Sequence, residues 1–252
     1  RAIRAVYDGQ NLTYEEIHRF ENIPIEKDGH LCWDVETLLK EIHTAIQKAG
    51  TFDSLGFDTW GVDFGLLDAD GHLLANPVHY RDARTNGKPE QAAARMPAEE
   101  LYAHTGNQIM AINTLFQLLA LQEQEPELLQ KAEQVLFMPD LFAALLGAEP
   151  VCERSIASTS QMLDPRTGQW SREVLTAYGL KENHFAPLVA SGTVTGTLTT
   201  GAKIIAVAGH DTQCASAAMP CAEEDVEHTA FLSCGTWSLL GTELDAPILT
   251  AD

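Results

Sequence analysis

The 252-residue sequence predicts an α/β fold in which helices flank a mixed sheet. Apolar runs of strand length alternate with segments whose apolar residues recur at helical spacing, which is typical of this class. The run 204–208 predicts a buried strand, and it leads directly into Gly209, His210, Asp211 and Thr212. A carboxylate is costly inside a buried strand but not at its carboxyl end, where open α/β sheets bind their ligands. This junction is therefore the first candidate site.

The N-terminal elements are predicted to be a hairpin and a helix. Strands over 2–7 and 12–20 flank Asp8-Gly9, a dipeptide typical of tight hairpin turns. Asp34 predicts the N-cap of a helix, because apolar residues at helical spacing follow it. Gly50 predicts the end of that helix.

A short strand and a second hairpin come next. The strand, over 54–57, ends at a segment of polar and aromatic residues, 58–64. The hairpin is predicted over 64–67 and 72–78, with its turn at Asp70-Gly71.

The middle third, 88–148, is predicted to be mainly helical, with one strand over 135–138. Residues that start, cap or end helices divide it into segments. They are Pro97, Gly106, Asn113, Pro126, Asp140 and Gly147. After the strand 204–208, we predict a helix of small residues that follows Thr212 and a final hairpin over 229–244.

The net charge of −20, from 36 acidic and 16 basic residues, narrows the class of partner. Nucleic acids and anionic membranes need a basic face, so both are excluded as partners. A nucleotide is compatible with this charge, because backbone N–H groups and Mg²⁺ can hold phosphates. No apolar run has the length of a membrane span. Five cysteines without a Cys-x-x-Cys pair indicate a reduced, cytoplasmic setting and no metal site.

Asp211 is the strongest candidate for chemistry. At the end of its strand it is placed to act as a general base towards a bound substrate. Its position before a helix allows an alternative, in which the carboxylate caps the N–H groups of Gln213 and Cys214. The two roles are compatible, and the residues alone leave both open.

A second candidate site is the segment 233–238, with the sequence Ser-Cys-Gly-Thr-Trp-Ser. A strand breaks there at Gly235, where the backbone can approach a phosphate closely. Cys234 has no histidine beside it in sequence, so we interpret it as a passive small residue.

Nine short segments, in order along nearly the whole chain, resemble the FGGY family of carbohydrate kinases. They are Glu16-Ile17-His18-Arg19-Phe20-Glu21-Asn22, Trp33-Asp34-Val35, Asp58-Thr59-Trp60-Gly61-Val62-Asp63-Phe64, Tyr80-Arg81-Asp82-Ala83-Arg84-Thr85-Asn86-Gly87, Asn113-Thr114-Leu115, Met138-Pro139-Asp140, Thr159-Ser160-Gln161-Met162-Leu163-Asp164, Gly209-His210-Asp211-Thr212 and Ser233-Cys234-Gly235-Thr236-Trp237-Ser238. No single segment is specific, but nine in register are.

The resemblance implies an actin-like, ribonuclease-H-like ATPase fold and a kinase that uses ATP and Mg²⁺. It implies that Asp211 is the catalytic base. The residues that it implies for sugar binding are Gly61, His210 and Thr212, and those for nucleotide binding are Gly235 and Thr236.

The implied reaction is transfer of the γ-phosphoryl group of ATP to the 1-hydroxyl of L-rhamnulose, which gives L-rhamnulose 1-phosphate. The segments 58–64 and 81–87 favour this sugar over glycerol and xylulose, whereas 159–164 and 209–213 also resemble kinases of L-fuculose. A kinase of L-fuculose or L-xylulose, or a non-catalytic sugar-binding protein of actin-like fold, are the alternatives.

The resemblance also predicts how the chain is organised. Residues 1–245 would form the N-terminal, sugar-binding domain of the family, without its first strand and phosphate loop, of which only Arg1 corresponds. Residues 246–252 would begin a C-terminal domain, and the connection 199–202 is shorter than is usual in the family.

Several residues near these motifs have two readings each. Trp60 and Trp237 could stack on a ligand or belong to the core, and His210 could bind the sugar or be structural. Asp58 and Asp63 could orient water or sugar hydroxyls, or lie at a solvated strand end. For Arg81 and Arg84 we favour structural ion pairs. Gly61 could leave room for a sugar or serve only a turn.

Overall fold

The computed structural model describes residues 1–235 and 238–250. Its helices, in chain order, are α1 (Val35–Ala49), α2 (Lys88–Ala92), α3 (Ala98–Thr105), α4 (Thr114–Gln124), α5 (Pro126–Lys131), α6 (Met138–Leu145), α7 (Arg154–Ala157), α8 (Arg172–Tyr178) and α9 (Asp211–Ala217). Its strands are β1 (Ala2–Tyr7), β2 (Leu12–His18), β3 (Ile25–Lys27), β4 (His30–Cys32), β5 (Ser54–Leu55), β6 (Phe64–Leu67), β7 (Gln134–Phe137), β8 (Cys152–Glu153), β9 (Leu163–Asp164), β10 (Gln169–Trp170), β11 (Leu188–Val189), β12 (Thr193–Thr197), β13 (Lys203–Ala206), β14 (Ala230–Cys234) and β15 (Ser238–Thr242).

A mixed three-stranded sheet carries the candidate site. Its order is β12-β13-β5, with β13 antiparallel to β12 and parallel to β5. Beyond the parallel pair, a bridge between Thr59 and His210 continues the pairing past the ends of both strands. The mixed α/β class predicted from the sequence is confirmed.

Local signals set several element boundaries as predicted. Asp34 caps α1, and its side chain accepts a hydrogen bond from the backbone N–H of Thr37 at 3.2 Å. Gly50 ends that helix at a positive φ of 67°, which glycine adopts without strain. The hairpins β1-β2 and β14-β15 lie within the predicted ranges, and Pro126 is the first residue of α5.

The hairpin predicted over 64–78 is only partly formed. The main partner of β6 is β7, which pairs with it antiparallel in the register Phe64–Phe137 to Leu67–Gln134. The segment predicted as a second strand contributes one bridge to β6, from Leu73 to Leu67, and its last residue, Val78, bridges to Cys32 instead. The physical reason is burial, because β7 brings the fully buried side chains 135–137 against β6.

Asp140 was predicted to cap a helix, and that prediction is wrong. Helix α6 begins at Met138, and Pro139 occupies its first turn, where the fixed φ of proline suits a helix start. Asp140 therefore lies inside the helix. Its carboxylate is 5% exposed and accepts a hydrogen bond from the backbone N–H of Glu153 at 3.1 Å.

The main core lies between β6, β7 and the helices around them. Among its fully buried side chains are Phe116, Phe137, Leu141 and Tyr178. All five cysteines are free thiols. None of the described helices combines the length and the apolar character needed to cross a bilayer.

Candidate active site

The candidate site is built where β5 and β13 end side by side. The backbone N–H of Thr59 donates to the carbonyl of Gly209 at 2.9 Å, and that of Asp211 donates to the carbonyl of Thr59 at 2.8 Å. These bonds bring the segment that contains Gly61 next to His210, Asp211 and Thr212. Four residues predicted from the sequence as site residues therefore lie on two adjoining segments.

Asp211 is the first residue of α9, and its side chain is 55% exposed. Its Oδ1 accepts hydrogen bonds from the backbone N–H of Thr212 at 2.6 Å and from the hydroxyl of Thr212 at 3.2 Å. The cap position belongs to His210, and no side-chain hydrogen bond caps α9 in the described residues. The capping alternative for Asp211 is therefore not realised, and one face of the carboxylate stays accessible.

His210 lies against the Asp211 carboxylate, with 3.5 Å between its Nε2 and Oδ1 of Asp211. Desolvation lowers the pKa of His210, although the nearby carboxylates of Asp211 and Glu153 act in the opposite direction. A neutral imidazole at this position can both donate and accept a hydrogen bond.

Glu153, a residue that no sequence motif singled out, holds the backbone of this segment. The residue is 1% exposed, and its Oε2 accepts hydrogen bonds from the backbone N–H of Gly209 at 3.0 Å and of Ser155 at 2.9 Å. Its Oε1 accepts one from the hydroxyl of Ser191 at 2.7 Å. No local sequence signal identifies this role, because the groups that Glu153 joins are 38 and 56 residues away.

Gly61 packs closely against a loop that is distant in sequence. A Cβ at this position would lie 3.0 Å from Cγ2 of Thr159 and 3.2 Å from its Oγ1. The next residue, Val62, has a φ of 69°, a strained conformation for a β-branched side chain. Its backbone N–H donates to the Thr159 hydroxyl at 3.0 Å, and its carbonyl accepts from the Thr114 hydroxyl at 2.6 Å. The turn at Gly61 is thus fixed from two sides.

Asp58 stands one residue before the pairing of Thr59 with His210. Desolvation, and then the charge of Asp211, raise the pKa of Asp58. The two acidic residues are therefore electrostatic neighbours, which favours a cation or a proton beside them.

Two expectations about neighbouring residues are wrong. Asp63 is not at a solvated strand end but fully buried, and its carboxylate accepts hydrogen bonds from side chains of the core. Arg84 forms no ion pair within the described residues; its Nη2 donates to Oε1 of Gln117 at 3.1 Å. Arg81 instead lies over the ring of Tyr80, 5.3 Å from its centroid.

The second predicted site is described only in part. Gly235 directly follows β14, and a Cβ there would meet no atom within 4 Å. Thr236 and Trp237, on which the predictions of nucleotide binding and ligand stacking depended, lie outside the described residues.

Known proteins match this chain over most of its length. The sequence model of the N-terminal domain of the FGGY family of carbohydrate kinases matches residues 5–217. The chain belongs to the FGGY family. A rhamnulokinase from Bacteroides thetaiotaomicron is 42% identical over 265 aligned residues, which include all of this chain and 54% of that protein. The FGGY chain thus spans about half the length of this curated relative.

Solved structures of carbohydrate kinases share the fold. A carbohydrate kinase from Novosphingobium aromaticivorans superposes with a TM-score of 0.78 and 22% identity, over 99% of this chain and 55% of that one. A ligand-bound xylulose kinase from Lactobacillus acidophilus gives a TM-score of 0.67 and 18% identity, over 78% of this chain and 42% of that one. The actin-like fold implied by the sequence resemblance is confirmed.

Proposed function

We propose that this chain is the sugar-binding part of a kinase that transfers the γ-phosphoryl group of ATP to the 1-hydroxyl of L-rhamnulose. The observation that carries the proposal is the 42% identity to a rhamnulokinase along the whole chain. The geometry supports it, because an accessible carboxylate stands at the end of a rigid strand beside the turn at Gly61. Membership of the FGGY family supports a carbohydrate kinase, and the identity to the rhamnulokinase supports L-rhamnulose as its sugar.

In this proposal, Asp211 is the general base. Phosphoryl transfer mainly requires positioning and stabilisation of charge, with a carboxylate that orients the attacking hydroxyl and accepts its proton. The bonds of Thr59 and Glu153 to residues 209–211 hold that carboxylate in place. His210, Thr212 and the backbone at Gly61 would bind hydroxyl groups of the sugar.

Mg²⁺ would neutralise charge on the transferred phosphates. Asp58, which precedes the residue paired with His210, would supply a carboxylate oxygen of the kind that Mg²⁺ prefers. Gly235 and Thr236 are proposed to contact the nucleotide. The first domain is proposed to end near residue 245.

The test is sugar-dependent release of ADP by the full-length protein, with L-rhamnulose, L-fuculose and L-xylulose as substrates. We expect the highest kcat/KM for L-rhamnulose. A higher kcat/KM for another ketose would refute the sugar while leaving a kinase. No ADP release with any of them, together with measurable sugar binding in calorimetry, would favour a non-catalytic sugar-binding protein.

A further inference from the structure

The side chain of Asp63 is a buried carboxylate that the mechanism above does not use. It is 0% exposed, and no cation lies within ion-pair distance of it in the described residues. Its Oδ2 accepts hydrogen bonds from the indole N–H groups of Trp33 at 2.6 Å and of Trp60 at 2.9 Å, and from the backbone N–H of Tyr80 at 3.2 Å. Its Oδ1 accepts one from Nε2 of Gln117 at 2.8 Å. These four hydrogen bonds therefore offset part of the cost of burying the carboxylate.

The donors come from four separate segments of the chain. Trp33 precedes α1, Trp60 follows β5, Tyr80 lies in the loop after β6, and Gln117 is in α4. Their aromatic rings form one continuous group. Ring centroids of Trp33 and Trp60 are 4.1 Å apart, those of Trp33 and His79 are 4.1 Å apart, and those of His79 and Tyr80 are 4.5 Å apart. The Asp63 carboxylate thus holds the two indole rings of this aromatic group by their N–H groups and binds the backbone of Tyr80.

Trp60 is the member of the aromatic group that adjoins the candidate sugar site. Trp60 lies between Thr59, which is hydrogen-bonded to Gly209 and Asp211, and Gly61. Trp33 and His79 are buried, whereas Trp60 and Tyr80 are only half-buried. Because the N–H edge of the Trp60 indole is turned inward to Asp63, the opposite part of the ring is left to face outward.

We propose that Asp63 is a positioning residue that fixes the Trp60 indole as an apolar wall of the sugar site, and that this wall selects ketoses with a terminal methyl group. The inference rests on the proposed kinase function. An aromatic surface gains from contact with a methyl group, whereas a hydroxyl placed against it would lose hydrogen bonds to water. The substrate class is therefore the 6-deoxyketoses.

The strained turn beside Trp60 supports the same inference. Val62 keeps its positive φ of 69° between the hydroxyls of Thr114 and Thr159, immediately before Asp63. A backbone conformation of this kind persists only where its surroundings over-determine it, which is typical of preorganised binding sites.

The experiment compares L-rhamnulose with L-fructose, which carries a hydroxyl where L-rhamnulose has only a methyl hydrogen on carbon 6. In the full-length wild-type protein we expect kcat/KM to favour L-rhamnulose roughly 10- to 100-fold, the range for such a difference in an apolar pocket. Trp60→Phe keeps a ring but removes its bond to Asp63. We expect it to raise the sugar KM about tenfold, to reduce the preference, and to leave the ATP KM unchanged.

Trp170→Phe is the matched control, because Trp170 is a core tryptophan that packs on Phe137 and Phe185 and has no contact with Asp63. It should leave the preference intact. If the Asp63→Asn variant folds, it should change the sugar KM and the preference as Trp60→Phe does. If it does not fold, Trp60→Phe is sufficient for the test. If the wild type is active and Trp60→Phe leaves the preference for L-rhamnulose unchanged, this inference is overturned and the proposed function stands. The same conclusion follows if Trp170→Phe lowers the preference as much as Trp60→Phe does. A wild type that phosphorylates neither ketose would refute the proposed function as well.

Discussion

At the scale of single residues, two aspartates have opposite environments. Asp211 is exposed at a helix start, where its carboxylate can meet a substrate hydroxyl. Asp63 is sealed in the core, where burial raises its pKa to about 6 despite four hydrogen bonds to the carboxylate. Accessibility separates a residue suited to acid–base chemistry from one suited to positioning its neighbours.

The change Asp211→Asn tests the base. It keeps the shape of the side chain and removes the proton acceptor, so kcat of the full-length enzyme should fall roughly 10²- to 10⁴-fold. Sugar affinity and the unfolding midpoint should stay near wild type, because the amide oxygen of Asn can still accept the hydrogen bond from the N–H of Thr212. Steady-state kinetics measure kcat and thermal unfolding measures the midpoint. A normal kcat would contradict the assignment of Asp211 as the base.

The buried Asp63 should make stability depend on pH. A carboxyl whose pKa is about 6 when folded and 3.8 when unfolded holds its proton more tightly in the folded state. Its contribution to the free energy of unfolding therefore falls as pH rises from about 4 to about 6, by ~3 kcal/mol in all, and is constant above that range.

Denaturant unfolding of wild type and Asp63→Asn at a series of pH values isolates this effect. The difference between the two curves should change across that window and be flat from pH 7 to 8. A difference that is constant from pH 4 to pH 6 would show that Asp63 has an ordinary pKa in the folded state.

At the scale of elements, the site depends on how β8, β13 and α9 are joined. Glu153, at the end of β8, binds the backbone of Gly209 between β13 and α9. The same carboxylate accepts from the N–H groups of Ser155 and Ile156 at the start of α7, where it acts as an N-cap. One buried side chain thus ties a helix start to the segment that presents Asp211.

The change Glu153→Gln should therefore affect both stability and catalysis. The N–H groups of Ser155, Ile156 and Gly209 would then donate to a neutral amide oxygen instead of a carboxylate, and such bonds are weaker, at a cost of about 1–3 kcal/mol in all. We expect a lower unfolding midpoint together with a lower kcat, unlike the result for Asp211→Asn. Glu149→Gln, an exposed change four residues earlier, is the control and should alter neither. A normal kcat in Glu153→Gln would mean that the Asp211 segment is held without this carboxylate.

At the scale of the whole molecule, charge is the dominant feature. Thirty-six acidic residues against 16 basic ones give a net charge of −20, and repulsion among them opposes the compact state. The acidic surface is compatible with a small sugar and with a nucleotide held by backbone groups, in agreement with the kinase proposal.

Added salt should therefore stabilise the protein. The screening length falls from about 30 Å at 0.01 M to about 8 Å at 0.15 M ionic strength, so repulsion between distant carboxylates weakens. We expect the free energy of unfolding in urea to rise over this range of NaCl. If KCl raises the free energy of unfolding by the same amount as NaCl, the effect is due to screening. If added NaCl leaves the free energy of unfolding unchanged or lowers it, net repulsion is unimportant.

The sequence by itself determined the α/β class, several element boundaries and the place of Asp211. These follow from local patterns: Asp34 and Gly50 bound α1, Pro126 begins α5, and an apolar run that ends in His210-Asp211 marks a strand end. Tertiary structure alone decided the partner of β6 and the burial of Asp63 and Glu153. The burial of the two carboxylates could not be predicted from the sequence, because the residues around a carboxylate look the same whether water or distant donors form its hydrogen bonds. For Asp63 those donors are up to 54 residues away, and for Glu153 up to 56.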